Sequence, residues 1–169
     1  MQNNTVKIVR AGVIGGLYIV LSFVTFGFSG GAIQFRVAEG LTLLPLLFIE
    51  SVPALFVGCF LFNLISGLPL YDVIFGSLIT LLAGVLTYLI GKIIKNKAIK
   101  VIVGGLFPVL LNALLLPVIW YFVYGSLEYM YIISVAFLIV SQSLSVYLLG
   151  TTLYLALEKL KNKEIKFLK

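Results

Sequence analysis

The stretch Lys92-Ile93-Ile94-Lys95-Asn96-Lys97-Ala98-Ile99-Lys100 carries four lysines between two long apolar blocks, and its reading decides the fold. Upstream, from Ala11 to Gly91, the only charges are Arg36, Glu39, Glu50 and Asp72. Downstream, from Val101 to Leu157, the only charge is Glu128. Blocks this apolar are candidates to cross a membrane, and short basic segments beside them stay on the cytoplasmic side. Two further clusters lie near the chain ends: Lys7 with Arg10, and the five lysines from Lys159 to Lys169. If all three are cytoplasmic, an even number of spans separates each pair. Residues 11–91 offer 81 positions, enough for four helices of about 20 residues each. Residues 101–157 offer 57 positions, which hold two long helices and a turn. The sequence therefore predicts an all-α integral membrane protein: a compact six-transmembrane-helix bundle with both termini cytoplasmic.

Composition supports this. The chain is 62% hydrophobic and 11% charged, with a mean hydropathy of +1.19, whereas a soluble domain carries about 25% charged residues. The spans consume nearly the whole length, so residues 1–169 are expected to form a single transmembrane domain. The net charge of +6 does not point to nucleic acid, because eleven of the twelve basic residues fall in the three flanking clusters. Clusters in such places set orientation and favour anionic headgroups of the lipid bilayer. The first apolar run is long and lacks an A-x-A cleavage site, so it reads as a retained helix rather than a signal peptide.

Chain breakers divide the blocks. The first helix ends at Gly27-Phe28-Ser29-Gly30-Gly31, and the second runs from about Arg36 to Glu50. The second is short and contains Glu39 and Pro45, so a re-entrant segment is its alternative. Glu50-Ser51-Val52-Pro53 leads into the third, since proline suits a first helical turn. Ser66-Gly67-Leu68-Pro69 closes the third, and the fourth starts near Asp72, a candidate cap, and ends at Gly91-Lys92. The fifth runs from about Ile99 to Phe122 and the sixth from about Glu128 to Lys159, with Trp120, Tyr121, Tyr124, Tyr129 and Tyr131 as an interfacial aromatic belt.

Arg36, Glu39 and Asp72 are the informative residues. A charge near the bilayer centre costs roughly 2.5–3.5 kcal/mol, so such groups pair, face a cavity or perform a task. In the expected topology all three lie near the outer ends of the second and fourth helices, with Asn63 in the outer part of the third, Asn112 at mid-depth in the fifth and Gln142 at mid-depth in the sixth. Arg36 and Glu39 are spaced i, i+3 and read either as a local ion pair or as ligand contacts. Asp72 reads as a cap or a contact, with Tyr71 beside it offering a stacking surface. Asn63 and Asn112 serve equally as interhelical bonds or ligand contacts. Gln142, among Ser141, Ser143 and Ser145, reads as packing between helices, and Glu128 as a cap or loop residue. Ala11-x-x-x-Gly15 and Gly12-x-x-x-Gly16 let another helix approach closely, either within the bundle or from a partner.

Several chemistries are excluded. With one cysteine and no histidine there is no intramolecular disulfide, no His/Cys metal site and no His-based catalytic triad. Gly91-Lys92 lacks the surroundings of a Walker A loop, so the chain has no ATPase of that kind. Neither an enzymatic activity nor a cofactor is expected. The readings that stand against one another are binding of a small polar solute, self-sufficient secondary transport or channel activity as an oligomer, and a ligand-free assembly role.

Two segments carry a family resemblance. Arg36-Val37-Ala38-Glu39-Gly40-Leu41-Thr42-Leu43-Leu44-Pro45 and Gly67-Leu68-Pro69-Leu70-Tyr71-Asp72-Val73-Ile74-Phe75-Gly76-Ser77-Leu78-Ile79-Thr80-Leu81-Leu82-Ala83 resemble the QueT family, with a looser likeness at Phe107-Pro108-Val109-Leu110-Leu111-Asn112-Ala113. Gly40 stands where the family pattern leads one to expect alanine. The resemblance implies a six-helix substrate-binding (S) component of an energy-coupling factor (ECF) importer in a prokaryotic plasma membrane. Its cargo would be a queuosine precursor, a 7-deazaguanine-type base. Its partners would be a transmembrane coupling protein, docked through Ala11, Gly12, Gly15 and Gly16, and two cytoplasmic ATPases. A carboxylate accepts the ring N–H and exocyclic amine of such a base together. Glu39 is the first choice for that role and Asp72 the second, the other carboxylate meeting an aminomethyl cation if the cargo has one. Arg36, Asn63 or Asn112 would donate to the ring carbonyl, and Tyr71 or Trp120 would stack on the base.

Overall fold

A computed structural model describes residues 4–26, 36–125 and 130–167. The Gly27–Gly31 break, Glu128 and Tyr129 lie outside these residues. Six helices follow one another: α1 (Asn4–Phe26), α2 (Val37–Leu46), α3 (Ser51–Ile65), α4 (Asp72–Ile93), α5 (Lys97–Tyr124), and α6, built from the consecutive pieces Tyr131–Ser143, Leu144–Gly150 and Thr151–Phe167. Four of them, α1, α4, α5 and α6, are long and apolar enough to cross a membrane. The protein is an all-helical membrane protein with the helix count expected from its charge pattern.

The boundaries have local causes. Gly67 and Gly125 both take φ of 70° and end α3 and α5, a conformation that suits residues without a Cβ. The Asn96 side chain accepts from the backbone N–H groups of Ala98 (3.0 Å) and Ile99 (3.2 Å), starting α5 two residues before the expected position. Asp72 does not cap α4. The chain is already helical at Leu70, and Asp72 opens a π-helical turn, Asp72–Gly76, whose preceding residue makes no side-chain cap. The carboxylate is thus left for other contacts.

All three basic clusters meet at one end of the bundle. Arg10 near the start of α1 pairs with Glu50 in the α2–α3 turn at 2.5 Å. Lys161 near the end of α6 donates to the Leu47 carbonyl at 3.0 Å. Both cations lie over the Phe48 ring, at 4.1 and 5.1 Å from its centroid, a favourable arrangement for a ring with a negative face. Lys97 at the α4–α5 turn bonds Glu158 of α6 at 3.0 Å. Parity read from charge therefore corresponds to a physical cluster.

The second helix differs from its expectation. It is not a membrane-length α-helix over 36–50 but a 3₁₀-helix of 10 residues, rising about 20 Å, against a hydrocarbon core of about 30 Å. Every residue from Ala38 to Leu46 is buried. It runs down the middle of the molecule, packed on α1, α4, α5 and α6. Irregular winding at membrane depth is tolerated where protein surrounds it, because lipid supplies no hydrogen bonds. Thr42 reinforces the tight turn by donating to the Glu39 carbonyl at 2.6 Å.

A second unusual segment lies against it. Residues Leu144–Gly150 of α6 are π-helical. A Cβ on Gly150 would come within 2.6 Å of the Gly40 carbonyl oxygen, and one on Gly40 within 3.1 Å of the Ser145 carbonyl oxygen. The 3₁₀ and π segments cross backbone to backbone, with no side chain between. The alanine expected at position 40 finds no ready space in this chain.

Candidate functional site

The centre of the bundle is polar. Glu39, one turn into α2, is 1% exposed. The Tyr18 hydroxyl of α1 donates to its Oε1 at 2.8 Å, and the Asn112 amide of α5 donates to its Oε2 at 3.3 Å. Three helices thus converge on one carboxylate. The tight 3₁₀ winding, the close α1–α3 packing and the mid-helix place of Asn112 put these groups in register. A carboxylate has about four lone-pair positions, one already used on each oxygen, so the group keeps capacity for further donors.

A neighbouring layer joins α3 to α4. Asn63 donates to the Asp72 carbonyl at 3.2 Å and lies 3.6 Å from Cys59 Sγ. Thr80 reaches the same sulfur at 3.5 Å and the Gly76 carbonyl at 3.1 Å. The π turn at Asp72 leaves carbonyls out of regular α register, and these side chains take them up. Asn63 is therefore an interhelical clamp through its nitrogen, while its Oδ1 is buried with no partner. Gln142 on α6 is 1% exposed, and its Oε1 also has no partner. Among the described residues that oxygen makes no hydrogen bond to a neighbouring helix.

Asp72 is buried, and half-buried Trp120 of α5 lies near its carboxylate. The charge of Arg36, immediately before α2, acts on both Glu39 and Asp72. Glu39, Asp72, Arg36, Asn112 and Trp120 are therefore brought into one electrostatic neighbourhood, with Asn63 behind Asp72. Tyr71 points elsewhere: it is 60% exposed and stacks nearly parallel on Phe75, centroids 6.3 Å apart. Among the described residues no three His, Cys, Asp or Glu side chains gather as a metal site requires.

Sequence reasoning missed Tyr18, Cys59 and Thr80. Each sits in an apolar helix with no charge beside it, and Tyr18 is 21 positions from its partner Glu39. The one available signal was that a tyrosine buried in a membrane helix needs an acceptor for its hydroxyl.

The small-residue stripe of α1 divides in two. Gly15 faces α3, where a Cβ would meet the Ala54 carbonyl oxygen at 3.1 Å, while Gly12 and Gly16 have nothing within 4 Å. They line an apolar groove of about 440 Å³ between α1 and α3, with Ala11, Pro53, Val57 and Leu61 along its walls.

The family model described as QueT transporter matches residues 8–159, which takes in α2 to α5 whole, most of α1 and α6, and every polar residue of the central site. The chain belongs to the QueT transporter family. No curated protein and no solved structure matches it. The QueT family is one of transporters and not of enzymes.

Proposed function

We propose that this QueT-family protein is the substrate-capture (S) component of an ECF importer in a prokaryotic plasma membrane, with both termini and its basic end cytoplasmic. Its cargo is a queuosine precursor, a base of the 7-deazaguanine type. The observation that carries this reading is the Glu39 carboxylate, buried at the junction of α1, α2 and α5 and oriented by Tyr18 and Asn112. A buried acceptor with unused lone pairs suits paired N–H donors such as a guanine-like ring N–H and its exocyclic amine. Asp72 and Arg36 flank it for a cationic substituent and a ring carbonyl, and Trp120 offers a stacking face, worth roughly 1–3 kcal/mol per base in nucleic-acid systems. Tyr71, exposed and stacked on Phe75, is left out of the proposed set. Titration of the purified chain with a 7-deazaguanine base, followed by native mass spectrometry and calorimetry, tests the reading. A one-to-one complex is expected, and no complex at millimolar base rejects it.

The coupling protein, which works with two cytoplasmic ATPases, is proposed to seat a helix in the α1–α3 groove at Ala11, Gly12, Gly15 and Gly16. Gly16→Leu fills open space in that groove. It is expected to abolish co-purification with the coupling protein while leaving base affinity and melting temperature of the isolated chain within error. Unchanged co-purification would move the docking surface elsewhere.

A further inference from the structure

The orphaned carbonyl of Gln142 has a place in depth that can be fixed from its neighbours. α2 and α6 run in the same direction, both toward the basic end. Gly40 lies against the stretch from Ser145 to Gly150 of α6: a Cβ there would be 3.1 Å from the Ser145 carbonyl oxygen and 3.3 Å from the Gly150 nitrogen. Gln142 is three residues farther from the basic end than Ser145, which places it on the Ala38–Glu39 side of that contact. The α5 side agrees. Leu138 shares a packed cluster with Ala113, and Val146 shares one with Val109. Gln142 lies between those two layers, at the height of Asn112, which bonds Glu39. Its side chain is on the buried face of α6 with Leu138, Ser141, Ser145 and Val146.

A buried amide oxygen without a donor carries a desolvation penalty that native interiors seldom bear unless something else satisfies the group. We infer that Gln142 is a specificity-determining residue of the Glu39 site, its carbonyl accepting a hydrogen bond from the cargo. This rests on the proposed function and deepens it. A guanine-type base presents three N–H groups on its recognition edge: the ring N–H and the two hydrogens of the 2-amine. Glu39 takes the ring N–H and the nearer amine hydrogen. The second amine hydrogen points away from that carboxylate and needs a separate acceptor, which Gln142 supplies from the opposite helix. The residue thereby reads the presence of the 2-amine and is indifferent to the rest of the ring.

The test compares 7-deazaguanine with 7-deazahypoxanthine, which lacks only that amine, on the wild type and on Gln142→Met, with Gln142→Leu as a second variant. The ratio of the two affinities is expected to fall about tenfold in the variants, the worth of one buried hydrogen bond, with binding of 7-deazahypoxanthine unchanged. The ligand-free melting temperature of at least one variant is expected to hold or rise, since an unsatisfied buried oxygen is removed. An unchanged affinity ratio in a folded variant overturns the assignment while leaving the proposed function standing. Failure of the wild type to bind either base overturns both. A fall in melting temperature in both variants with loss of both bases equally makes Gln142 a packing residue and also overturns it.

Discussion

Glu39→Gln is expected to weaken binding of a 7-deazaguanine base about a hundredfold. Each charge-assisted hydrogen bond contributes about 1.5–3 kcal/mol, and every 1.4 kcal/mol is about tenfold in affinity. The amide keeps one acceptor and turns the other position into a donor. Of the two adjacent base N–H groups, one then faces an N–H and is repelled rather than held. The same change disturbs the protein side, because Oε1 and Oε2 each receive a donor now, from Tyr18 at 2.8 Å and Asn112 at 3.3 Å. The Tyr18 hydroxyl can rotate to accept from the amide, so one contact survives and the fold is expected to persist. Calorimetric titration of wild type and variant in the same detergent gives the result directly. Affinity within threefold of wild type would remove Glu39 from the binding role, and a collapsed melting curve would call for Glu39→Asp, which keeps the charge and shortens the reach.

The architecture was legible where charge and breakers carried it. Lysines and arginines too costly to bury mark one face of the membrane, and Arg10, Lys97 and Lys161 do meet neighbours at a single end of the bundle. Gly67 and Gly125 stopped helices for a reason visible in any sequence. The winding of α2 was not legible. A 3₁₀ and an α-helix draw on the same residues, and the choice at Val37–Leu46 is made by the walls around it. The π segments at Asp72–Gly76 and Leu144–Gly150 are equally silent, since a one-residue insertion in a helical ladder leaves apolar periodicity almost intact.

The site was half legible for a related reason. Glu39, Asp72 and Arg36 announce themselves because charge in an oily segment is expensive. Their partners are ordinary residues for a membrane helix. Tyr18 looks like any aromatic in an apolar run, and Asn63 and Gln142 look alike in sequence, yet the Asn63 nitrogen clamps two helices while both side-chain carbonyls lack a partner among the described residues. Distinguishing them needs the third dimension, because the difference is which atoms meet a partner and not which residue stands there. The tyrosine at position 71 shows the converse. Its nearness to Asp72 in sequence suggested a shared role, but successive helical positions point about a quarter-turn apart, and the ring stacks on Phe75 instead.

Gly150→Ala is expected to be the most damaging single-methyl change in the protein, although alanine is intrinsically better than glycine in a helix by about 1 kcal/mol. The added Cβ would sit 2.6 Å from the Gly40 carbonyl oxygen and 3.1 Å from a methyl of Leu43. The first neighbour is backbone and has no rotamer to escape into. Either α6 backs away from α2, opening a gap along the contact, or the 3₁₀ segment shifts. Overpacking of this kind costs about 1–3 kcal/mol, which exceeds the propensity gain, so the melting temperature is expected to fall. The binding consequence follows from connectivity: Gly40 adjoins Glu39, and a displaced α2 carries the carboxylate away from the donors on Tyr18 and Asn112. Base affinity is therefore expected to fall about tenfold with stability, on the scale of one lost hydrogen bond. Gly12→Ala is the control, since its Cβ meets nothing within 4 Å and adds only helix propensity. It is expected to hold or raise the melting temperature and leave affinity alone. If Gly150→Ala melts and binds as Gly12→Ala does, the close crossing of α2 and α6 does not hold the carboxylate in place. The geometry of the site would then have to be maintained by α1 and α5 alone, through the two side chains that already touch it.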